Sequence, residues 1–373
     1  LITNTLDTGT AVTLQASNNI TVNSAITAVG NGALTMQAGG SVTVNAPISI
    51  LGALTLQASG ASSDITLNAA LSSTAAGDSV VLAAGRNFIN TVGAGAIDPG
   101  AGRFLVYSTN PAADTRGGLV YNFKQYDATF GDAVLGSGDG FLYTLAPTIT
   151  AGLTGSVSKT YNGSTFAVLT PGNYTSSGAI DGDTITLNNP GSGSFDTKDA
   201  GVGKTVSMNG LAIASASNGA ATVYGYQLAS STVSAAIGTI TPKALTLTGM
   251  TATNRVYDGG TSVVLSGGTL NGLVGTETLS FSGQTSAFAD KNVGTAKAVT
   301  VSGITLADGA VPLGGLASNY TVSNPVGLTA NVTVRTLNVS ATGISRVYDG
   351  TTGATVTLGD DRVGGDVLTF GSS

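Results

Sequence analysis

The residues best suited to chemistry in this chain recur in one heptapeptide, KTYNGST at Lys159, RVYDGGT at Arg255 and RVYDGTT at Arg346. Each copy sets a phenol beside an amide or a carboxylate, with a cation two positions earlier and glycine and hydroxyl-bearing residues after it. Three chemistries fit such a group: a calcium site, a Ser/Lys nucleophile or a structural turn. Calcium needs several convergent oxygens. Asp181, Asp183, Asp360, Asp361 and Asp366 lie in related loops, but the second copy carries Gly275, Thr276 and Glu277 there, and no EF-hand or nonapeptide calcium repeat is present. The candidate lysines Lys159, Lys198, Lys204, Lys291 and Lys297 stand at repeat-equivalent places, as structural residues do. Histidine, cysteine and tryptophan are absent, which removes the commonest general base, the commonest zinc ligands and every thiol nucleophile. The chain therefore reads as non-enzymatic, with no catalytic residue, no metal and no cofactor.

What remains is a turn built by Tyr161-Asn162-Gly163, Tyr257-Asp258-Gly259 and Tyr348-Asp349-Gly350. Asn-Gly and Asp-Gly are strong tight-turn dipeptides because both residues tolerate positive φ. The Asx side chain can accept from backbone N–H groups just beyond it, and the tyrosine ring would anchor the turn against a sheet with its hydroxyl at an edge. Arg255 and Arg346 are expected to pair with the neighbouring Asp, with Lys159 in their place in the first copy.

The motif tyrosines fall 96 and then 91 residues apart, a spacing of tandem domains. FDTKDAGVGKTVSMNGL from Phe195 aligns without a gap on FADKNVGTAKAVTVSGI from Phe288, YQLASS parallels YTVSNP, and PKALTL parallels VRTLNV. Complete copies are assigned to 149–242 and 243–335 and an incomplete one to 336–373, so the chain is expected to be a piece of a longer polypeptide. Each complete copy suffices for a small β-sandwich or β-grasp-like domain of about six to eight strands. Linkers are nearly absent, which predicts a semi-rigid rod.

Composition agrees with an all-β chain. Fifty-four glycines and abundant Thr, Ser, Ala, Val and Asn stand against nine prolines and a single glutamate, so almost no helix is expected. A net charge of −6 with fourteen basic residues disfavours nucleic-acid binding. No apolar run approaches the roughly 20 residues that cross a bilayer. Without cysteine, stability must come from packing and backbone hydrogen bonding.

Residues 1–101 carry a shorter period: AVTLQASNNITVNSAIT, ALTMQAGGSVTVNAPIS and ALTLQASGASSDITLNAALS. Val12, Leu14, Leu34, Met36, Leu54 and Leu56 alternate with Thr13, Gln15, Thr35, Gln37, Thr55 and Gln57. A second inward set is Ile20, Val22, Val42, Val44, Ile65 and Leu67, opposite the outward Thr21, Asn23, Thr43, Asn45, Thr66 and Asn68. A third is Ile26, Ile48 and Leu71. Three inward sets predict a right-handed parallel β-helix with external Thr, Gln and Asn ladders. The array weakens after Ser79. Residues 102–148 are rich in aromatics, namely Phe104, Tyr107, Tyr121, Phe123, Tyr126, Phe130 and Tyr143, and are expected to cap the coils. A competing reading makes Tyr107, Tyr121, Phe123 and Tyr126 a stacking platform for a glycan.

The VTLQA/ITVN coils, the transition LVYSTNP…GGLVYNFKQY and the three Tyr-Asx-Gly sites with ITPKALTL resemble a two-partner-secretion adhesin of the filamentous-haemagglutinin type with bacterial surface YDG repeats. The resemblance covers essentially all 373 residues. It implies a secreted protein, extracellular or on the surface of a Gram-negative bacterium, exported by an outer-membrane two-partner-secretion transporter. It also implies a fibrous shaft and spacer acting in adhesion, aggregation or biofilm towards a host or neighbouring-cell surface, glycan or matrix. Two alternatives stay open: a glycan-binding module, and self-association into an extracellular filament.

Overall fold

The computed structural model describes residues 1–371. It is nearly all β, with one short α-helix at Ile2–Asp7 and three 3-10 turns. Among the described residues no helix is long and apolar enough to cross a membrane. Two compact units emerge: one of residues 1–156, 167–194 and 205–237, the other of residues 157–166, 195–204 and everything from Gly238 onward.

In the first unit the short period becomes three parallel ladders. Val12–Ala16, Leu34–Ala38, Leu54–Ala58 and Asp78–Ala84 stack in one, with Val12 opposite Leu34, Leu34 opposite Leu54 and Leu54 opposite Val80. The second runs Ile20, Val42, Ile65, Phe88 and the third Ile26, Ile48, Leu71, Ile97. This like-over-like register buries the inward residues of the middle rungs almost completely, at about 1.5–3 kcal/mol for each large aliphatic side chain. Outside, the polar positions bond along the stack: Gln15 donates to Gln37 at 2.7 Å, Asn45 to Asn23 at 2.8 Å and Asn68 to Asn45 at 2.8 Å.

The first ladder does not stop where the alternation fades. Arg103–Ser108 pairs in parallel with Asp78–Ala84, Gly140–Tyr143 follows it, then Phe123–Gln125, and Ala221–Tyr224 of the first long copy pairs in parallel with Phe123–Gln125. The alternation fades because these strands are covered on both faces. Val81, Ala83, Leu105, Tyr107, Phe123, Leu142 and Ala128 form a second small core on the side that is polar in earlier rungs. The covering loop is held by Gln125, which accepts from Leu135 N at 2.8 Å and donates to Ala133 O at 3.0 Å.

In the second unit, the copy at 243–335 has three sheets. Leu265–Asn271, Lys243–Ala252 and Tyr320–Val322 form one, and Arg255–Val256, Leu328–Thr333, Gly294–Ser302 and Thr285–Phe288 the next. Leu279–Ser282 with Thr305–Asp308 makes the third. Its core is Phe288, Val299, Val301, Ala330 and Val332. In the third copy Val339–Gly343 and Val356–Asp360 pair as an antiparallel hairpin. Only Pro242, which has no N–H to give a ladder, separates the strands Val233–Thr241 and Lys243–Ala252.

Candidate functional site

The Tyr-Asx-Gly motif folds as an Asx turn. Asn162 Oδ1 accepts from Ser164 N at 3.1 Å, Asp258 Oδ1 from Gly260 N at 2.9 Å, and Asp349 Oδ1 from Thr351 N at 3.0 Å. Glycine alone takes the left-handed conformation, with φ +76° at Gly163, +80° at Gly259 and +76° at Gly350, while the Asx residue stays at negative φ. Arg255 and Arg346 pair with Asp258 and Asp349 at 3.0 and 2.8 Å. Lys159, which faces an uncharged Asn162, instead donates to the carbonyls of Ser164 and Phe166 at 2.5 and 3.0 Å and to Ser164 Oγ at 3.2 Å. Its ammonium is thus surrounded by acceptors, and burial pulls its pKa down.

The first two turns aim their tyrosines at a carboxylate. The backbone N–H of Tyr161 continues a parallel strand pair by donating to Thr241 O at 2.8 Å, and that of Tyr257 donates to Thr333 O at 2.9 Å. The ring of Tyr161 is buried, and its hydroxyl donates to Glu277 Oε1 at 2.6 Å. Lys198 donates to the same oxygen at 3.0 Å, and Tyr320 donates to Glu277 Oε2 at 2.6 Å. The N–H of Val274 donates to Tyr320 Oη at 3.0 Å, and the two rings meet edge to face at 5.3 Å. Burial alone would raise the pKa of Glu277, but hydrogen bonds from Tyr161, Tyr320 and Lys198 outweigh it and hold the carboxyl below its ordinary value. Burial, and then the bond to Glu277, pushes the Tyr320 phenol up to about 12.

One repeat on, the arrangement recurs. Tyr257 Oη and Lys291 Nζ both donate to Asp366 Oδ1 at 2.8 Å, and the hydrogen bond from Lys291, followed by that from Tyr257, lowers the pKa of Asp366. In the first unit the same role falls to residues outside the three motifs. Asp183 accepts from Tyr126 at 2.8 Å, Tyr226 at 3.0 Å and Asn218 at 2.9 Å and is paired with Lys124. Ile180 N donates to Tyr226 Oη at 2.9 Å, as Val274 does to Tyr320. Lys124 is completely buried and also bonds Asp181 at 2.6 Å, which Arg116 reaches at 2.5 Å. Burial, then the bond to Asp183, drives the Tyr126 phenol far up.

Tyr348 has no such partner among the described residues and is 92% exposed. The carboxylates weighed for calcium are likewise engaged elsewhere: Asp360 with Arg362, Asp361 with Asn338, and Asp366 as above. Among the described residues no three His, Cys, Asp or Glu side chains gather as metal ligands. The lysines weighed with serine are spread the same way, Lys204 on Asp196 and Lys297 on Asp290.

Of the four aromatics considered as a glycan platform, Tyr107, Phe123 and Tyr126 are buried and Tyr121 is partly buried. Tyr107 and Phe123 lie under the covering loop, with Phe130 edge-on to Tyr107 at 5.4 Å, and Tyr126 is in the inner core against Tyr143 and Tyr226. Tyr121 is partly buried, packs on Phe141 at 5.2 Å and donates to Asn218 at 2.9 Å. Tyr107 and Phe123 thus occupy outward positions of the first ladder that the loop buries, whereas Tyr126 belongs to the inner core.

Sequence reasoning placed the motif tyrosines but not their partners. The signal was available: Asp183, Glu277 and Asp366 follow Tyr161, Tyr257 and Tyr348 by 22, 20 and 18 residues, each in a Gly-containing loop. Lys124-Gln125-Tyr126-Asp127 repeats the spacing of Lys159-Thr160-Tyr161-Asn162, with Ala128 in place of glycine and Asp127 itself at φ +53°.

The YDG domain family model matches residues 144–233 and 241–327, so the chain contains two YDG domains. The matches include Tyr161, Asp183 and Tyr226 in one copy and Tyr257, Glu277 and Tyr320 in the other. Comparison with curated proteins and with solved structures gives no match.

Proposed function

We propose that this chain is a non-enzymatic shaft and spacer of a fibrous surface protein, secreted to the exterior of a Gram-negative bacterium and acting in adhesion, aggregation or biofilm. On this reading residues 1–101 are a right-handed parallel β-helix and each YDG copy is a small sandwich- or grasp-like β domain. A two-partner-secretion transporter exports the chain, and its target is a host or neighbouring-cell surface or matrix. The observation that carries the proposal is the recurring junction in which a motif phenol and a lysine of one copy share a single carboxylate oxygen of the next, at Glu277 and again at Asp366. A spacer needs each module fixed to its neighbour, and a hydrogen-bonded carboxylate beside a one-residue linker at Pro242 does that without a separate hinge. The two YDG domains are consistent with a surface-repeat protein.

The test is an in-frame deletion of residues 241–333 in the producing bacterium, with antibody labelling of intact cells and a cell-aggregation assay. The spacer reading expects surface labelling to persist while aggregation falls. Labelling that requires lysis of the cells, or aggregation indifferent to the deletion, would overturn it.

A further inference from the structure

Of the ion pairs among the described residues, only that of Lys124 Nζ with Asp183 Oδ1 has both side chains 0% exposed. Lys124 lies on Phe123–Gln125, and Asp183 directly precedes Thr184–Leu187, in the same sheet. Tyr126 Oη and Tyr226 Oη both donate to Asp183 Oδ2, at 2.8 and 3.0 Å, and Asn218 Nδ2 donates to Oδ1 at 2.9 Å. Asp181 Oδ2 is a second acceptor for Lys124 Nζ at 2.6 Å, while Arg116 holds the other oxygen of Asp181 at 2.5 Å.

The two oxygens of Asp183 therefore have different surroundings. Oδ2 sits on two phenols that stay protonated, since burial pushes Tyr226 up to about 12 and Tyr126 further still. Two fixed donors on one oxygen of a carboxyl group are the arrangement of an oxyanion hole. Oδ1 faces the amine. Keeping an ammonium and a carboxylate out of water is costly even when they pair, and condensing them to an amide removes both charges at once. What is left balances, because Asp181 retains Arg116. The later junctions differ, for the side chains of Lys198 and Lys291 are 47% and 42% exposed. Water solvates those ammoniums, and their pairs have no such drive.

We propose that Lys124 Nζ and Asp183 Cγ condense within the folded chain to an amide, a covalent cross-link between the aromatic-rich segment and the first YDG domain. One ammonium proton passes to Oδ1, which frees the Nζ lone pair. The lone pair attacks Cγ, and the electrons of the Cγ–Oδ2 double bond move onto Oδ2, where Tyr126 and Tyr226 donate. Asp181 takes a second proton from Nζ and hands it to Oδ1. The double bond to Oδ2 re-forms, the Cγ–Oδ1 bond breaks, and Oδ1 leaves as water. One ammonium and one carboxylate thus become one secondary amide and one water, with no oxidation or reduction. Holding amine and acid in contact makes the step intramolecular, which supplies much of its rate. This inference goes beyond the spacer reading and does not depend on where the chain is exported.

The test is the intact mass of the whole chain under denaturing conditions, followed by tryptic mapping. The expected mass is that of the sequence less one water. Trypsin should fail to cut after Lys124, and the peptide carrying Lys124 should be joined to the one carrying Asp183. Lys124→Arg keeps the cation but cannot form the bond, and should show the full mass. The full mass in the unaltered chain would overturn the proposal, as would a missing water that persists in Lys124→Arg. A missing water restored by mild alkali would overturn it as well, because that is the behaviour of a cyclic imide at Asp181-Gly182, whereas a secondary amide survives the treatment.

Discussion

Replacing Glu277 by alanine tests the junction at its centre. The buried hydroxyls of Tyr161 and Tyr320 would each lose a carboxylate acceptor, at about 1–1.5 kcal/mol each. Lys198, whose side chain is half-exposed, adds no more than about 0.5 kcal/mol. The expected loss is about 3 kcal/mol, or roughly a hundred-fold in an opening equilibrium. A multi-domain chain has no single unfolding free energy, so the assay is native-state hydrogen exchange, which reports opening region by region. The Val274 amide, which donates to Tyr320 Oη, is the natural probe and should exchange about a hundred-fold faster in Glu277→Ala. Tyr161→Phe alone should cost about 1 kcal/mol, and almost nothing when added to Glu277→Ala, because the two share one interaction. Exchange at Val274 changing by less than about three-fold, or fully additive costs, would refute the reasoning.

Lys124→Ala leaves Asp181 and Asp183 together in a buried site without their shared cation, and should destabilise the first unit by about 3–5 kcal/mol, read as faster hydrogen exchange of the Tyr126 amide, which donates to Tyr224 O. Gly259→Ala adds a Cβ at φ +80° that comes within 2.5 Å of Val363, a cost of about 1–2 kcal/mol readable as faster exchange around Gly260. Acidity should act in two directions. Burial raises the carboxyl of Asp114 to about 6, against hydrogen bonds from Phe88 N and Ser108, so its folded state holds the proton longer. This contribution to stability is full below the ordinary carboxyl range and is lost as the pH rises towards 6. Asp114→Asn should flatten that slope in a pH series of melting temperatures. Glu277 behaves oppositely: its lowered value stabilises above the ordinary carboxyl range and is lost as the pH falls below it.

The parallel ladders were legible because their alternation is uninterrupted and one face is wet. Val12, Leu34 and Leu54 could be placed over one another from spacing alone, and so could the Asn23–Asn45–Asn68 column. From Ser79 onward the outward positions Val81, Ala83, Leu105 and Tyr107 are themselves covered, so period two vanishes although the ladder continues. The same covering hid the role of the aromatics, since a buried rung and a sugar-stacking face have the same composition. The turn was legible because its hydrogen bonds are two residues long, as between Asn162 and Ser164. The junction was not, because alignment shows that Glu277 and Asp366 are equivalent to each other but not that each answers to the tyrosine of the copy before it, 116 and 109 residues away.

The central claim is that these junctions hold successive copies in a fixed relation, and the absence of native cysteine makes it directly measurable. Spin labels on cysteines placed at the exposed Val202 and Thr300, both in the second unit, report the distribution of distances between the first copy's Gly201–Met208 strand and the second YDG copy by pulsed electron paramagnetic resonance. A single narrow distribution that broadens in Glu277→Ala is the predicted result. A broad distribution in the otherwise unaltered chain, or one indifferent to Glu277→Ala, would contradict the account.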